Sequence, residues 1–320
     1  MESKTWHDIF LDTLHKKFPK KIQLTKELMN LLELEREAVY RRLRKEVSFT
    51  ALETAKIVST WGISLDEISG INSEQFSFQM MPVNYLNPSS EEQNFMRKII
   101  QSIYRFENEP DAEIMDICNK IPHSLVAGFD YLNQYYLFKW KSLYGNDTQV
   151  TPYSDVTFSK VEKKIMSDYY QAIKHFPVSN FIFDHKIFEY LLDDIRYFHS
   201  IYLITDEEKE LIKKDLYALL NYLYDVANKG YYPETQNKVN IYISQLNVET
   251  NYTYTFAPRA NICFVIVFEI YEIFSFNSEM VSNFMAWMQL KKRTATQISE
   301  VDEKNRIVFF KKQRELVDNL

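Results

Sequence analysis

Arg36, Tyr40, Arg41 and Arg44 are the residues of this chain best placed to do chemistry, and that chemistry is recognition rather than catalysis. A guanidinium offers a planar fork of donors that fits a phosphate or a guanine edge, and a tyrosine adds a ring and a hydroxyl. At roughly 100° per residue on a helix, Arg36, Glu37, Tyr40, Arg41 and Arg44 fall within one arc of about 140°. Residues 36–45 hold five cations (Arg36, Arg41, Arg42, Arg44 and Lys45) against one acid, Glu37, although the whole chain carries a net charge of −6. A solvated helix face is the plainer explanation of such a set. The local charge, set against the overall bias, favours DNA. Lys26 and Lys45 are candidates for phosphate contacts only.

Signals for other chemistries are weaker. The densest group of titratable side chains is Asp184, His185, Asp193, Asp194 and His199. No His-x-x-x-His or paired-cysteine spacing frames them, so solvated helix faces are favoured over metal binding or acid–base work. With five glycines, the chain has no Gly-x-Gly-x-x-Gly and no Gly-Lys-Ser/Thr, and no nucleophile elbow frames a serine. Catalysis is therefore not expected, and neither a metal nor a cofactor. The tyrosines at 131, 135, 136, 169, 170, 222 and 224 read as core and helix-packing surface, with a small-molecule pocket as the minor alternative.

The arginine face needs a scaffold. Leu28, Leu31 and Leu32 recur at helical spacing, Leu34 plugs a tight turn, and Glu35 can cap a second helix that buries Ala38, Val39 and Leu43. Before this pair, residues 6–17 place Trp6, Ile9, Phe10 and Leu14 on one helical face. After it, Thr50-Ala-Leu-Glu53 is a capping box opening a helix through Ala51, Ala55, Ile57, Val58 and Trp61. Gly62 suits the left-handed position past its end. Ser64-Leu-Asp-Glu67 is a second capping box and starts a short fifth helix with Leu65 and Ile68.

The segment Ala38-Val-Tyr-Arg-Arg-Leu-Arg-Lys-Glu, then Val47-Ser-Phe-Thr and Trp61-Gly-Ile-Ser-Leu-Asp-Glu-Ile68, resembles the phage-repressor/Cro-type helix-turn-helix domain of bacterial transcription regulators. The resemblance covers residues 1–70. It implies that the first helix of the pair braces the DNA backbone, that the second enters the major groove, and that Val39 and Leu43 are buried. Met29 stands where the family usually has Ala, and Glu33 where its turn usually has Gly. Glu33 would need a left-handed conformation, so a slightly remodelled turn is expected.

Composition changes beyond this domain. Residues 1–70 are nearly neutral, and the remainder is acidic and about twice as rich in aromatics. Residues 71–89, with Pro82 and Pro88, read as a linker. From 90 on, Ser89-Ser-Glu-Glu92 caps one helix, and Pro110 suits the first turn of a short helix to 119. Further helices are expected over 125–143 (ended by Gly145-Asn-Asp), 155–175, 184–202 and 206–228, the last opening on Thr205-Asp-Glu-Glu208. Residues 239–276 read as three or four antiparallel strands, with a buried helix over 262–274 as the alternative, and 278–292 and 299–320 read as closing helices. No repeat signature supports a solenoid.

Cys118 and Cys263 sit in apolar settings and read as free buried thiols of a reducing compartment. No apolar run is long enough to span a bilayer. The expected fold is mainly α: an N-terminal five-helix bundle (1–70), a linker (71–89), and a larger helical or α+β domain (90–320) with a small antiparallel sheet near 239–276. The expected function is a cytoplasmic, non-catalytic transcription regulator. Its partners would be double-stranded DNA, a second copy as homodimer, and a small-molecule or protein effector on the C-terminal domain. The alternative is a protein–protein adaptor that keeps the repressor-like fold without reading DNA. One continuous basic surface around 36–45 would favour DNA; a surface interrupted by acids would favour the adaptor.

Overall fold

The computed structural model describes residues 5–63, 65, 68, 78–81, 83–84, 86–144, 151–257 and 261–320. The chain divides into two compact units, Met1–Ser77 with Phe276–Met280, and Phe78–Ser275 with Val281–Leu320.

In the first unit the described helices are α1 (Trp6–Lys17), α2 (Lys21–Leu32), α3 (Arg36–Leu43) and α4 (Ala51–Trp61). Thr5 caps α1 in a reciprocal box with Asp8, and Thr50 caps α4 in the same way with Glu53. Gly62 ends α4 at φ 60°, as its lack of a Cβ allows. Phe10, Leu14, Leu24, Leu28, Val39 and Ile57 are fully enclosed, and Phe49 sets its ring edge-on to Phe10 at 5.5 Å. Trp6, Ala51 and Ala55, expected on inner faces, are exposed. The fifth helix and its Ser64–Glu67 capping box fall on residues outside the described ones except Leu65 and Ile68, of which Ile68 is buried in this core.

The second unit is built on an open, mixed eight-stranded sheet ordered β1-β7-β6-β5-β2-β3-β4-β8. Its strands are β1 (Gln79–Met80), β2 (Glu113–Cys118), β3 (Val178–Asp184), β4 (Lys238–Ser244), β5 (Tyr252–Phe256), β6 (Ile262–Val267), β7 (Tyr271–Ser275) and β8 (Thr296–Gln297). The helices are α5 (Ser90–Tyr104), α6 (His123–Val126), α7 (Asp130–Tyr144), α8 (Lys160–Ile173), α9 (Glu189–Ser200), α10 (Asp206–Lys229), α11 (Ser278–Thr294) and α12 (Glu303–Asp318).

Helices separate β2, β3 and β4, which run parallel, Asp116 opposite Phe181 and Ile182 opposite Tyr242. β5 returns antiparallel beside β2, and β6 and β7 continue antiparallel outward. This corrects the expectation of a small, wholly antiparallel sheet. β4 pairs parallel with β3, β2 lies within the helix expected over 110–119, and β3 falls in the interval between the helices expected over 155–175 and 184–202, where no strand is expected. β2 and β3 are buried on both faces, so they show no alternation, and a short apolar run does not by itself separate strand from helix. Likewise Tyr153–Asp155 is a single 3-10 turn, and α8 begins only at Lys160.

One face of the sheet presents Phe181, Phe183, Val239, Ile241 and Ile243 to α7, α9, α10 and α12. On the same face Ile114 meets Ile103 of α5 and Ile165 and Ile173 of α8. On the opposite face lies α11: Trp287 stands 4.8 Å from the Tyr252 ring, and Lys292 donates to Asn180 Oδ1 at 2.9 Å. Ser89–Glu92 forms the expected capping box on α5, and Thr205–Glu208, expected only as acids suiting a helix N-terminus, forms another on α10. Of the expected linker, Gln79–Met80 is the edge strand β1, and Met81 and Val83 are buried. The Gly145-Asn-Asp stop lies outside the described residues. Both cysteines are free and buried. Among the described residues no helix is long and apolar enough to cross a membrane.

Candidate nucleic-acid interface

Three residues join α2 to α3. Glu33 stands at φ 55°, ψ 41°, and its backbone N–H donates to Met29 O. The left-handed conformation that glycine usually supplies is thus adopted by a glutamate, and the remodelling expected of this turn does not occur. Leu34 is half-buried against the core, as expected. Glu35 occupies the N-cap of α3, but its side chain makes no capping bond there, contrary to expectation. Val39 and Leu43 are buried, so the opposite side of α3 faces out.

On that side Arg36, Glu37, Arg41 and Arg44 are exposed and Tyr40 is half-buried. Arg36 donates to Tyr40 Oη from Nη2 at 3.0 Å, with its guanidinium 5.2 Å from the ring centroid. The Arg36 hydrogen bond holds the Tyr40 hydroxyl below its ordinary pKa. Lys21, at the N-terminus of α2, brings Nζ to 5.8 Å from the same ring. Lys26 is exposed on α2.

The remaining cations are answered by acids. Arg44 bonds Glu37 at 2.6 Å and Glu46 at 2.8 Å, and these carboxylates raise its pKa, Glu37 most. Arg41 lies 3.6 Å from Glu46. Lys45, itself left-handed at φ 66°, pairs with Asp8 of α1, and that bond holds the Asp8 carboxyl far below the usual range. The face is therefore a mosaic. Among the described residues, Arg36, Tyr40 and Lys21 form its part with no acid paired to them, and Glu37, Glu46 and Asp8 interleave the rest. Of these, Lys21, Glu46 and Asp8 escape a reading of the sequence, because only the packing of α1, α2 and the α3–α4 loop brings them to this surface.

Arg42, counted among the five cations, points elsewhere. Its Nε and Nη2 grip both oxygens of Glu53 at 2.9 and 2.7 Å, and Nη1 donates to Ala38 O at 3.0 Å. The same Glu53 closes the capping box of α4. Burial tends to raise the Glu53 pKa, but the Arg42 and backbone bonds outweigh it and lower it. Arg42 is a strut between α3 and α4.

The second group of candidate residues does not converge. Buried Asp184 accepts from the backbone N–H groups of Lys186 and Val248, each at 2.8 Å, with His185 Nδ1 3.4 Å away. Asp193 pairs with Arg196, Asp194 with Lys139, and His199 with Asp206. Among the described residues no group of three or more His, Cys, Asp or Glu side chains could hold a metal ion. A pair the sequence did not single out is Asp116 and Glu272, on the same face of the sheet. Burial pushes Asp116 up to about 6, against a hydrogen bond from the Thr253 hydroxyl; burial and then the Asp116 charge push Glu272 up to about 7.

No protein-family model, curated protein or solved structure matches the chain.

Proposed function

We propose that this protein is a cytoplasmic, sequence-specific DNA-binding transcription regulator that acts without catalysis, and that two copies work together. The observation that carries this reading is the outward side of α3, where Arg36 and Tyr40 stand together on a short helix anchored by Val39 and Leu43 behind a tight left-handed turn. A helix so mounted suits a major groove, with the first exposed residues reaching base edges. Arg36, Tyr40, Arg41 and Arg44 would read bases, Glu37 would accept from a base amino group, and Lys26, Lys45 and Lys21 would lie along phosphates. The pairs of Arg41 and Arg44 with acids are solvent-exposed, and exposed ion pairs are weak enough for phosphate to displace them. The second unit would hold the two copies together and receive a small-molecule or protein effector.

The adaptor reading keeps one specific observation in its favour: Glu37, Glu46 and Asp8 interrupt the basic surface. Selection from random duplex DNA, followed by affinity measurement across a salt series, separates the two. A regulator enriches one motif, with a log–log salt slope of several units, about −0.9 per phosphate neutralised. Enrichment of nothing, with a slope near zero, leaves the adaptor.

A further inference from the structure

Helix α9 carries apolar residues on two sides. Leu191, Leu192, Ile195 and Phe198 face the core, while Tyr190, Tyr197 and Ile201 lie outward within an arc of about 40° and are 41%, 60% and 42% exposed. The helix ends beside Tyr202, which is left-handed at φ 60° and 92% exposed. Asp194, on the same stripe, pairs with Lys139 of α7, and Lys139 also bonds Glu269 in the β6–β7 turn at 3.1 Å. These bonds bring two more apolar side chains to the same region. Leu143 lies one turn beyond Lys139 and is 50% exposed, and Phe268 next to Glu269 is 68% exposed. Phe268 and Glu269 both have left-handed φ, 49° and 66°, in a turn where Asn or Gly is the unstrained choice. Exposed aromatics held at strained positions point to a use for the surface.

We propose that this surface, centred on the outer face of α9, pairs with the same surface of a second copy of the chain about a twofold axis passing near Asp194. It deepens the two-copy part of the reading above and rests on it. Area supports a dimer. At roughly 200 Å² per fully exposed aromatic, Tyr190, Tyr197, Tyr202 and Phe268 together present on the order of 500 Å². Leu143 and Ile201 add to that, against about 800 Å² per partner in a stable interface. Charge supports the symmetry. A twofold near Asp194 with antiparallel helices sets Tyr190 of one copy beside Tyr197 of the other. The same axis brings the Asp193–Arg196 pair of one copy, bonded within the chain at 2.8 Å, against the same pair of the other, so that each acid also meets a second guanidinium. Asp194, at the axis, brings no uncompensated charge because Lys139 neutralises it.

Sedimentation equilibrium of the full chain at tens of micromolar tests this without DNA. The expected mass is twice the 38.3 kDa of one chain. Tyr190→Asp with Tyr197→Asp should give the monomer mass while circular dichroism stays unchanged. Asp193→Arg alone should weaken association at least ten-fold, and adding Arg196→Asp should restore it. A dimer that survives both sets of changes overturns this surface but leaves the two-copy reading standing. A monomeric wild type overturns both.

Discussion

Arg42→Ala should loosen the first unit without touching the outward face of α3. The Arg42–Glu53 pair is bidentate, with both side chains about 15% exposed, so solvent screens it little. A hydrogen bond to a charged group is worth about 1.5–3 kcal/mol, and breaking a fully buried pair costs about 3–5 kcal/mol. A site enclosed to this degree, where Glu53 keeps its capping bonds to Thr50, should lose about 2 kcal/mol. Because the chain has two units, a global melting temperature would mix their transitions. Hydrogen exchange of peptides from α3 and α4 reads the first unit directly, and about 2 kcal/mol corresponds to roughly 30-fold less protection. The pH dependence follows from the lowered Glu53 pKa. The bond stabilises the fold above the ordinary glutamate range and is lost as pH falls through the lower, folded value. Wild type and variant should therefore converge in acid. If protection of α3 and α4 is unchanged at neutral pH, or the gap persists after Glu53 is protonated, Arg42 is not the strut described here.

Glu46→Gln should raise affinity for the selected DNA at least ~3-fold and steepen the salt slope, since phosphate would no longer compete with that carboxylate for Arg41 and Arg44; unchanged or weaker binding in anisotropy titrations would refute this. Arg36→Ala should weaken binding about ten-fold or more and relax preference at one base pair, whereas Lys26→Ala should weaken all sequences alike. Glu33→Gly should stabilise the first unit by about 0.5–1 kcal/mol, because relief of the left-handed strain exceeds the entropy glycine adds to the unfolded chain; slower exchange in α2 and α3 would show it. Asp116 is raised to about 6, so the folded chain holds a proton there that the unfolded chain releases near the ordinary aspartate value. Stability of the second unit should fall as pH rises from about 4 to about 6, and Asp116→Asn should make that fall shallower in denaturant midpoints measured against pH, leaving the part that buried Glu272 contributes.

What the sequence discloses here is what repeats locally. The leucines of α2, the buried Val39 and Leu43, and the capping boxes at Thr50, Ser89 and Thr205 are each written within a few adjacent residues. The central strands are not. Glu113–Cys118 mixes two acids, Glu113 and Asp116, with apolar residues on both faces, and Pro110 ahead of it imitates a helix start. Val178–Asp184 is buried on both faces and carries Ser179 and Asn180 in its interior. At the candidate interface the sequence discloses the cations but not their partners. Glu46 reaches Arg41 and Arg44 from the following loop, and Asp8 reaches Lys45 from α1. Asp116 and Glu272 lie 156 positions apart and come to share one face, close enough for the charge of one to act on the other, only through the order of the sheet.

That order also bears on how the chain is made. β2 sits in the middle of the sheet, yet β3 begins 60 residues after it ends and β5 ends 138 residues after it ends. During synthesis at about 5–20 residues per second, one side of β2 stays without its antiparallel partner for several seconds to about half a minute. Pairings this distant are slow to form, and an unpaired strand is a template for other chains. Helices α1 to α4 of the first unit are joined by local links and are synthesised long before. Nascent chains of the second unit are thus the stage at which a chaperone would matter most, and Asp116, a charge set within β2, is a built-in obstacle to wrong pairing during that interval.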